Sequence, residues 1–263
     1  MCRILGKIGN LEVSEQTKII GRFQELSHTG CVPKGDPKGH RDGWGVVFYK
    51  HGKAILYEKK PTDAFKDADF NQLKKEITQK KLGLFLAHLR KASVGSRTLR
   101  NTQPYLYLDF SFVHNGTIFN SEKIKLQDRL TKLRKGSTDS EKLFLLIIQN
   151  IQSKRRGSSI IGAIKKAVED VRKELNYTAM NMLLTNGKKM WAIREINEKN
   201  EEVQILKMEK YYELYIGKSK RGDGVVFSSE KISKSLEWKL INNHEVIEAE
   251  LVKEKVSIVS MKI

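Results

Sequence analysis

LYLDFSFVHNGTIFN (Leu106–Asn120) places two apolar runs on either side of Asn115-Gly116. An Asn-Gly pair between β-prone runs is the strongest short hairpin signal, because both residues tolerate the positive φ of a tight primed turn. The dipeptide also suits chemistry. The Asn115 side-chain amide and the Gly116 backbone N–H can both face a developing negative oxygen. Upstream, Leu82–Leu89 is an apolar run of strand length that ends at Arg90. Downstream, residues 121–134, 139–152 and 158–175 carry apolar side chains at helical spacing, and Ser137-Thr138-Asp139 stands where the second helix needs its cap.

Further toward the N-terminus, residues 2–8 predict a strand and residues 15–27 a helix, with Ile19, Ile20, Phe23 and Leu26 on one face. Residues 28–45 hold glycines and prolines and predict a loop. Trp44–Tyr49 and Ala54–Glu58 flank His51-Gly52 as a hairpin, and 67–80 reads as a helix. Beyond residue 175, strands are expected at 178–185, at 189–196 after the Asn186-Gly187 turn, at 203–208, 211–217 and 224–228, and in pieces over 246–260. Many strands with a few long helices and no strict alternation read as α+β.

The chain has 263 residues, of which 39% are hydrophobic and only 4 are proline, so it can bury a core without disulfides and is neither disordered nor linker-rich. No apolar run reaches 18 residues, so no membrane-spanning helix is expected. The first residues lack a signal-peptide core, which predicts a cytoplasmic protein. Two cysteines, Cys2 and Cys31, make no disulfide framework. A net charge of +18 invites a nucleic-acid partner, but the basic residues are interleaved with glutamates, as on a solvated surface. His40, His88 and His114 are too far apart for a local metal motif, and neither a phosphate loop nor a dinucleotide fingerprint is present. No metal or cofactor is expected.

Several residues could carry chemistry. Removal of the initiator Met ahead of a small residue would leave Cys2 with a free α-amine of pKa about 7.7–8.0, a base on the nucleophile's own residue. Its bland reading is a small side chain near a frayed end. Arg90 at a strand end offers a guanidinium fork for a carboxylate, or is a surface arginine. In Asp42-Gly43-Trp44-Gly45, Trp44 walls a small pocket or simply begins a strand. Asp139 caps a helix or receives an ammonium.

The order of these segments is more specific than any of them. Cys2, Asp42-Gly43-Trp44-Gly45, His88-Leu89-Arg90 with Ser93 and Gly95, Asn101-Thr102-Gln103-Pro104-Tyr105, His114-Asn115-Gly116-Thr117-Ile118 and Ser137-Thr138-Asp139-Ser140-Glu141 follow one another as in the class II glutamine amidotransferases. The sequence resembles the small stand-alone members of that class, which share the Asp-Gly-Trp-Gly loop. The resemblance covers residues 2–141 well and the remainder loosely. It implies an N-terminal nucleophile hydrolase fold, a four-layer αββα sandwich of two antiparallel sheets, with residues 1–263 as one glutaminase domain. It implies Cys2 as nucleophile, Asn115 and Gly116 as oxyanion hole, and Arg90, Ser93, Asp139 and Trp44 around the substrate. Gln103 stands where relatives often have His, and Val94 where some synthases do. The implied substrate is glutamine or another γ-glutamyl compound, with a separate synthase subunit as possible partner, since no acceptor domain is left in the chain. The competing readings are a basic nucleic-acid-binding module on the same fold and a purely structural role for these segments.

Overall fold

The computed structural model describes residues 2–78, 83–153, 159–207 and 210–263. The first half of the chain runs β1 (Arg3–Gly9), α1 (Val13–Thr29), β2 (Gly43–Lys50), β3 (Lys53–Lys60), α2 (Ala68–Thr78), β4 (Leu84–Arg90), β5 (Tyr105–Tyr107) and β6 (Phe110–Asn115). A short α3 (Asp128–Thr131) follows, then α4 (Asp139–Gln152), α5 (Ile160–Glu174), β7 (Asn181–Thr185), β8 (Lys189–Arg194) and a one-turn α6 (Glu201–Ile205). The chain ends with β9 (Tyr215–Lys218), β10 (Gly224–Ser228), β11 (Glu237–Leu240), β12 (Glu245–Val252) and β13 (Lys255–Lys262).

The strands form two antiparallel sheets, ordered β11-β9-β10-β1-β4-β2-β3 and β13-β12-β8-β7-β6-β5. Strand alternation divides most apolar side chains among three cores, with a smaller cluster of Ala179, Ile196, Val203, Tyr211 and Tyr212 beside them. Along β1, Ile4 and Ile8 face the second sheet and meet Leu86, Val113, Leu183 and Phe227. Leu5 points the other way and packs with Phe48 and Phe85 under Ile20 and Phe23 of α1 and Phe70 of α2. The outer face of the second sheet, with Phe112, Met182 and Trp191, lies under Phe144 and Ile147 of α4 and Ile164 and Val168 of α5. The layers are therefore helix, sheet, sheet, helix, as expected. Each fully buried large apolar side chain contributes roughly 1.5–3 kcal/mol.

The Asn115-Gly116 hairpin is not formed. The tight turn lies earlier, at Leu108-Asp109, where Tyr107 pairs with Phe110, so Leu106–His114 is two strands rather than one. β6 continues to Asn115 and pairs with β7, and Gly116 then leads away from the sheet. The hairpins at His51-Gly52 and Asn186-Gly187 are formed. Residues 121–134 form turns with only Asp128–Thr131 α-helical, because Ile124, Leu126 and Leu130 are drawn onto the core under α4 as anchors of an irregular segment. Residues 201–205 are helical rather than extended, with Asn200 capping the turn through Val203 N. The strand expected over 211–217 begins only at Tyr215, and β11 was not expected. Parts of the expected elements at 67–80, 82–89, 158–175 and 203–208 fall outside the described residues. No helix among the described residues is long and apolar enough to cross a membrane.

Candidate active site

Antiparallel register collects the marked residues at one end of the sandwich. Arg3 pairs with Leu89 and Gly43 with Arg90, so the start of β1, the end of β4 and the start of β2 share an edge. In the facing sheet Asn115 ends β6 opposite Asn181. Leu84 and Leu86 of β4 face the second sheet, and His88 and Arg90 continue that alternation. Cys2 stands on the equivalent face of β1, next to Ile4.

One hydrogen bond joins the sheets there. Cys2 N donates to Asn115 Oδ1 at 2.8 Å. The donor is an N–H, so the accepting atom must be the amide oxygen, which fixes the orientation of the Asn115 amide. Its Nδ2 is fully buried and has no partner. A buried amide donor left unpaired costs about 1–3 kcal/mol, so this one stands out. Gly116 follows at φ +156°, and a Cβ there would lie 1.8 Å from the Ala179 carbonyl oxygen. No side chain fits at that position. Beyond it, Thr117 N donates to Thr178 Oγ1 at 3.0 Å and Ile118 N to Asp139 Oδ2 at 2.7 Å, holding the segment in place.

His114 braces the same strand end. Its Nε2 lies 3.2 Å from the Ala179 carbonyl, an acceptor only, so Nε2 carries the proton and Nδ1 accepts from Ser140 Oγ at 2.9 Å. Burial keeps its pKa below the usual histidine range. Gln103 Oε1 accepts from His114 N at 2.6 Å. His88 is also completely buried, and burial, followed by the Arg90 charge, holds its pKa well below that range. Neither ring nitrogen is hydrogen-bonded; the His114 backbone lies alongside, outside hydrogen-bonding geometry.

Arg90 is buried, and its guanidinium donates to the carbonyls of Ser96 at 3.1 Å, Val94 at 3.0 Å and Gly95 at 3.0 Å. It therefore shapes the loop after β4. Ser93 Oγ in that loop lies 3.3 Å from Thr117 Oγ1. Asp139 is not the helix cap that its position suggested. Thr138 caps α4 through Oγ1 to Glu141 N, leaving Asp139 in the first turn with its carboxylate on Ile118 N. Trp44 is not at the site either. It is fully buried between β2 and α2, edge-on to Phe70 at 5.1 Å, with Nε1 donating to Asp67 Oδ2 at 3.1 Å. The strand alternation that turns Val47 toward the second sheet turns Trp44 away from it.

Two supports escaped the sequence reading. Asp42 accepts from Ala92 N at 2.8 Å and pairs with Arg97 at 2.6 Å, which holds the loop after β4. Arg3, fully buried, donates to the Cys2 carbonyl at 2.9 Å and to the Cys31 carbonyl, pairs with Glu230 at 2.6 Å and stacks 4.3 Å over Tyr211. The charged residue beside a glycine-flanked Trp was a visible signal for Asp42; nothing local distinguished Arg3. No group of three or more His, Cys, Asp or Glu side chains that could hold a metal ion occurs among the described residues.

Residues 1–245 match the family described as Glutamine amidotransferases class-II. An uncharacterized protein of Methanocaldococcus jannaschii is 26% identical over 266 residues, covering 94% of this chain and 68% of its own length. YafJ of Escherichia coli, described provisionally as a glutamine amidotransferase, is 29% identical over 204 residues, covering 75% of this chain and 74% of its own. Among solved structures, a class-II domain protein from Silicibacter pomeroyi superposes over the full length of both chains with a TM-score of 0.62 at 18% identity. The phosphoribosylpyrophosphate amidotransferase of B. subtilis matches over 99% of this chain and 49% of its own, with a TM-score of 0.64 at 17% identity. At these identities the likeness concerns the fold.

Proposed function

The chain belongs to the class II glutamine amidotransferases, and from that premise we propose that it cleaves the side-chain amide of glutamine through a thioester on Cys2. The observation that carries this is the Asn115 amide. Its oxygen is fixed by Cys2 N, and its buried Nδ2 is left unpaired. A donor held in that way is ready for charge that forms only during reaction.

The Cys2 thiolate attacks the amide carbon, and the tetrahedral oxyanion meets Asn115 Nδ2 and the Gly116 N–H. The Cys2 α-amine takes the thiol proton and returns it to the leaving ammonia. Water then releases glutamate from the thioester. Arg90 and Asp139 supply anchors of opposite sign for the α-carboxylate and α-ammonium, and Ser93 lines the same pocket. Their burial near the ends of β4 and at the start of α4 supports these roles. Residues 1–263, less the initiator Met, act as one glutaminase domain in the cytoplasm, and ammonia is released to water or passes to a separate synthase subunit.

Intact-mass spectrometry before and after treatment with a glutamine-mimicking diazo-ketone tests this. Loss of Met1 and one adduct on Cys2, blocked by glutamine, is expected, with glutamate and ammonia released in equal amounts from glutamine. Retained Met1 or no adduct would overturn the mechanism. Glutamate release from γ-glutamyl peptides but not from glutamine would shift the substrate to other γ-glutamyl bonds.

A further inference from the structure

Cys2 and Cys31 are the only cysteines of the chain, and both are free thiols. Chain geometry brings them to one end of the sandwich. The 7 residues of β1 run away from Cys2, and the 17 residues of α1 run back. At about 3.3 Å per strand residue and 1.5 Å per helix residue, the two legs are each roughly 23–26 Å long. The chain therefore returns to the level of Cys2 as it reaches Cys31.

The Arg3 guanidinium closes that return. Its Nη1 donates to the Cys2 carbonyl at 2.9 Å, and its Nη2 donates to the Cys31 carbonyl. Two oxygens bound by one planar fork lie within about 7 Å of each other. Cys31 is held on both sides: its N–H donates to Glu230 Oε1 at 2.9 Å, and its carbonyl also accepts from His40 Nε2 at 3.2 Å. A disulfide needs Cα atoms within about 7 Å, and the shared fork holds the two backbones at that scale.

The side chains meet a common neighbour. Tyr211 lies beneath the Arg3 guanidinium, and its phenol is within electrostatic range of both the Cys2 and the Cys31 thiols. Its hydroxyl is buried and has no hydrogen-bond partner. A buried donor without an acceptor is destabilising, and a new oxygen on either sulfur would relieve it. Cys2 Sγ is itself lightly held, 3.8 Å from the Lys91 carbonyl, and Cys31 is exposed.

We propose that Cys31 is a resolving thiol for Cys2: once a hydroperoxide has oxidised Cys2, Cys31 closes a reversible disulfide that shuts the site and shields Cys2 from further oxidation. The Cys2 thiolate attacks one peroxide oxygen, the O–O bond breaks, and Cys2 is left as a sulfenic acid. The Cys31 thiolate then attacks the Cys2 sulfur, the S–O bond breaks, and hydroxide leaves. Each sulfur gives up one electron, the two peroxide oxygens take both, and the two thiol protons end on those oxygens. That the disulfide silences an enzyme rests on the glutaminase reading; the disulfide itself does not.

The test treats wild type and Cys31→Ser with hydrogen peroxide. It follows intact mass, non-reducing peptide maps and glutamine hydrolysis together. The wild type should lose two hydrogen atoms in mass, yield a linked Cys2–Cys31 peptide, and lose activity in step with the linked fraction. Dithiothreitol should restore that activity in full. Cys31→Ser should keep wild-type activity before treatment. After it, Cys31→Ser should form no link, gain two or three oxygens on Cys2, and stay inactive in dithiothreitol. A wild type that gains oxygen on Cys2 without the link, links only between molecules, or recovers no better than Cys31→Ser would overturn the proposal. If the linked peptide forms in a wild type that does not hydrolyse glutamine, the disulfide stands and the glutaminase reading fails.

Discussion

At the scale of single residues, the contrast between Gly116 and Gly21 is the sharpest. A methyl group on Gly116 would collide with the Ala179 carbonyl, and backbone cannot retreat as a flexible side chain can. Gly116→Ala should cost about 3 kcal/mol or more and remove activity. Gly21 lies inside α1 with nothing within 4 Å of an added Cβ, so Gly21→Ala should stabilise the fold by about 0.5–1 kcal/mol. Urea unfolding of both variants checks the pair. On the proposed mechanism Asn115→Ala removes an oxyanion donor, and kcat should fall about 10²–10³-fold with KM little changed. At this scale the sequence was informative where chemistry restricts residue type: Cys2, Asn115, Gly116 and Asp139 were all named from it. Arg3 was not, and His88 was noted only as part of its segment, because what distinguishes both is burial in a particular sheet face, which no local pattern encodes.

At the scale of elements, the two residues that open α4 divide their work. Thr138 caps the helix, and Asp139 holds Ile118 N. Thr138→Ala should cost about 1 kcal/mol of stability. Asp139→Asn keeps a hydrogen-bonding side chain but removes the charge, and should raise KM for glutamine far more than it lowers the melting temperature. Finding the larger stability loss in Asp139→Asn would reverse the assignment. The same division explains a misreading. Asp, Ser and Thr all suit a helix N-terminus, so composition could locate the cap but not choose among neighbours. The Asn115-Gly116 pair failed as a hairpin for a related reason. Its positive-φ tolerance is used for a close pass beneath Ala179, whereas the real turn at Leu108-Asp109 has a Leu at φ +51° and gives no glycine signal. Strands with clean apolar runs, such as β1, β4 and β10, were legible. Short edge strands such as β5 and β11 were not, because three or four residues carry too little alternation to read.

At the scale of the whole molecule, acid stability is set by buried histidines. His88 and His114 have lowered pKa values in the folded state, because burial disfavours their charged forms. The unfolded chain takes up these protons near pH 6.5, and the folded chain does not. The unfolded state therefore binds more protons below that pH, and stability must fall as pH drops from about 6.5. Glu195, held below the usual carboxylate range by Arg172, Tyr177 and His244 against the opposing effect of burial, adds a second loss at lower pH, as it protonates. Denaturant midpoints between pH 7.5 and 5 should decline, and His88→Leu, which leaves no buried ring nitrogen unpaired, should flatten that decline. An unaltered slope in His88→Leu would show that His88 does not contribute. The layered plan itself was legible through the order of its segments, because residues 2–141 carry most of the site. The second half gave less, since none of the residues marked for chemistry lies beyond Asp139.

The buried Arg3 fork has a consequence in time. It joins the carbonyls of Cys2 and Cys31 to Glu230, and β1 lies between β4 and β10. A ribosome adding roughly 5–20 residues per second makes Glu230 some ten to fifty seconds after Cys2. Through that interval the nascent N-terminus lacks one of its two flanking strands and its ion-pair partner. It stays open to solvent, and the clasp shuts only once the last third of the chain has folded onto it.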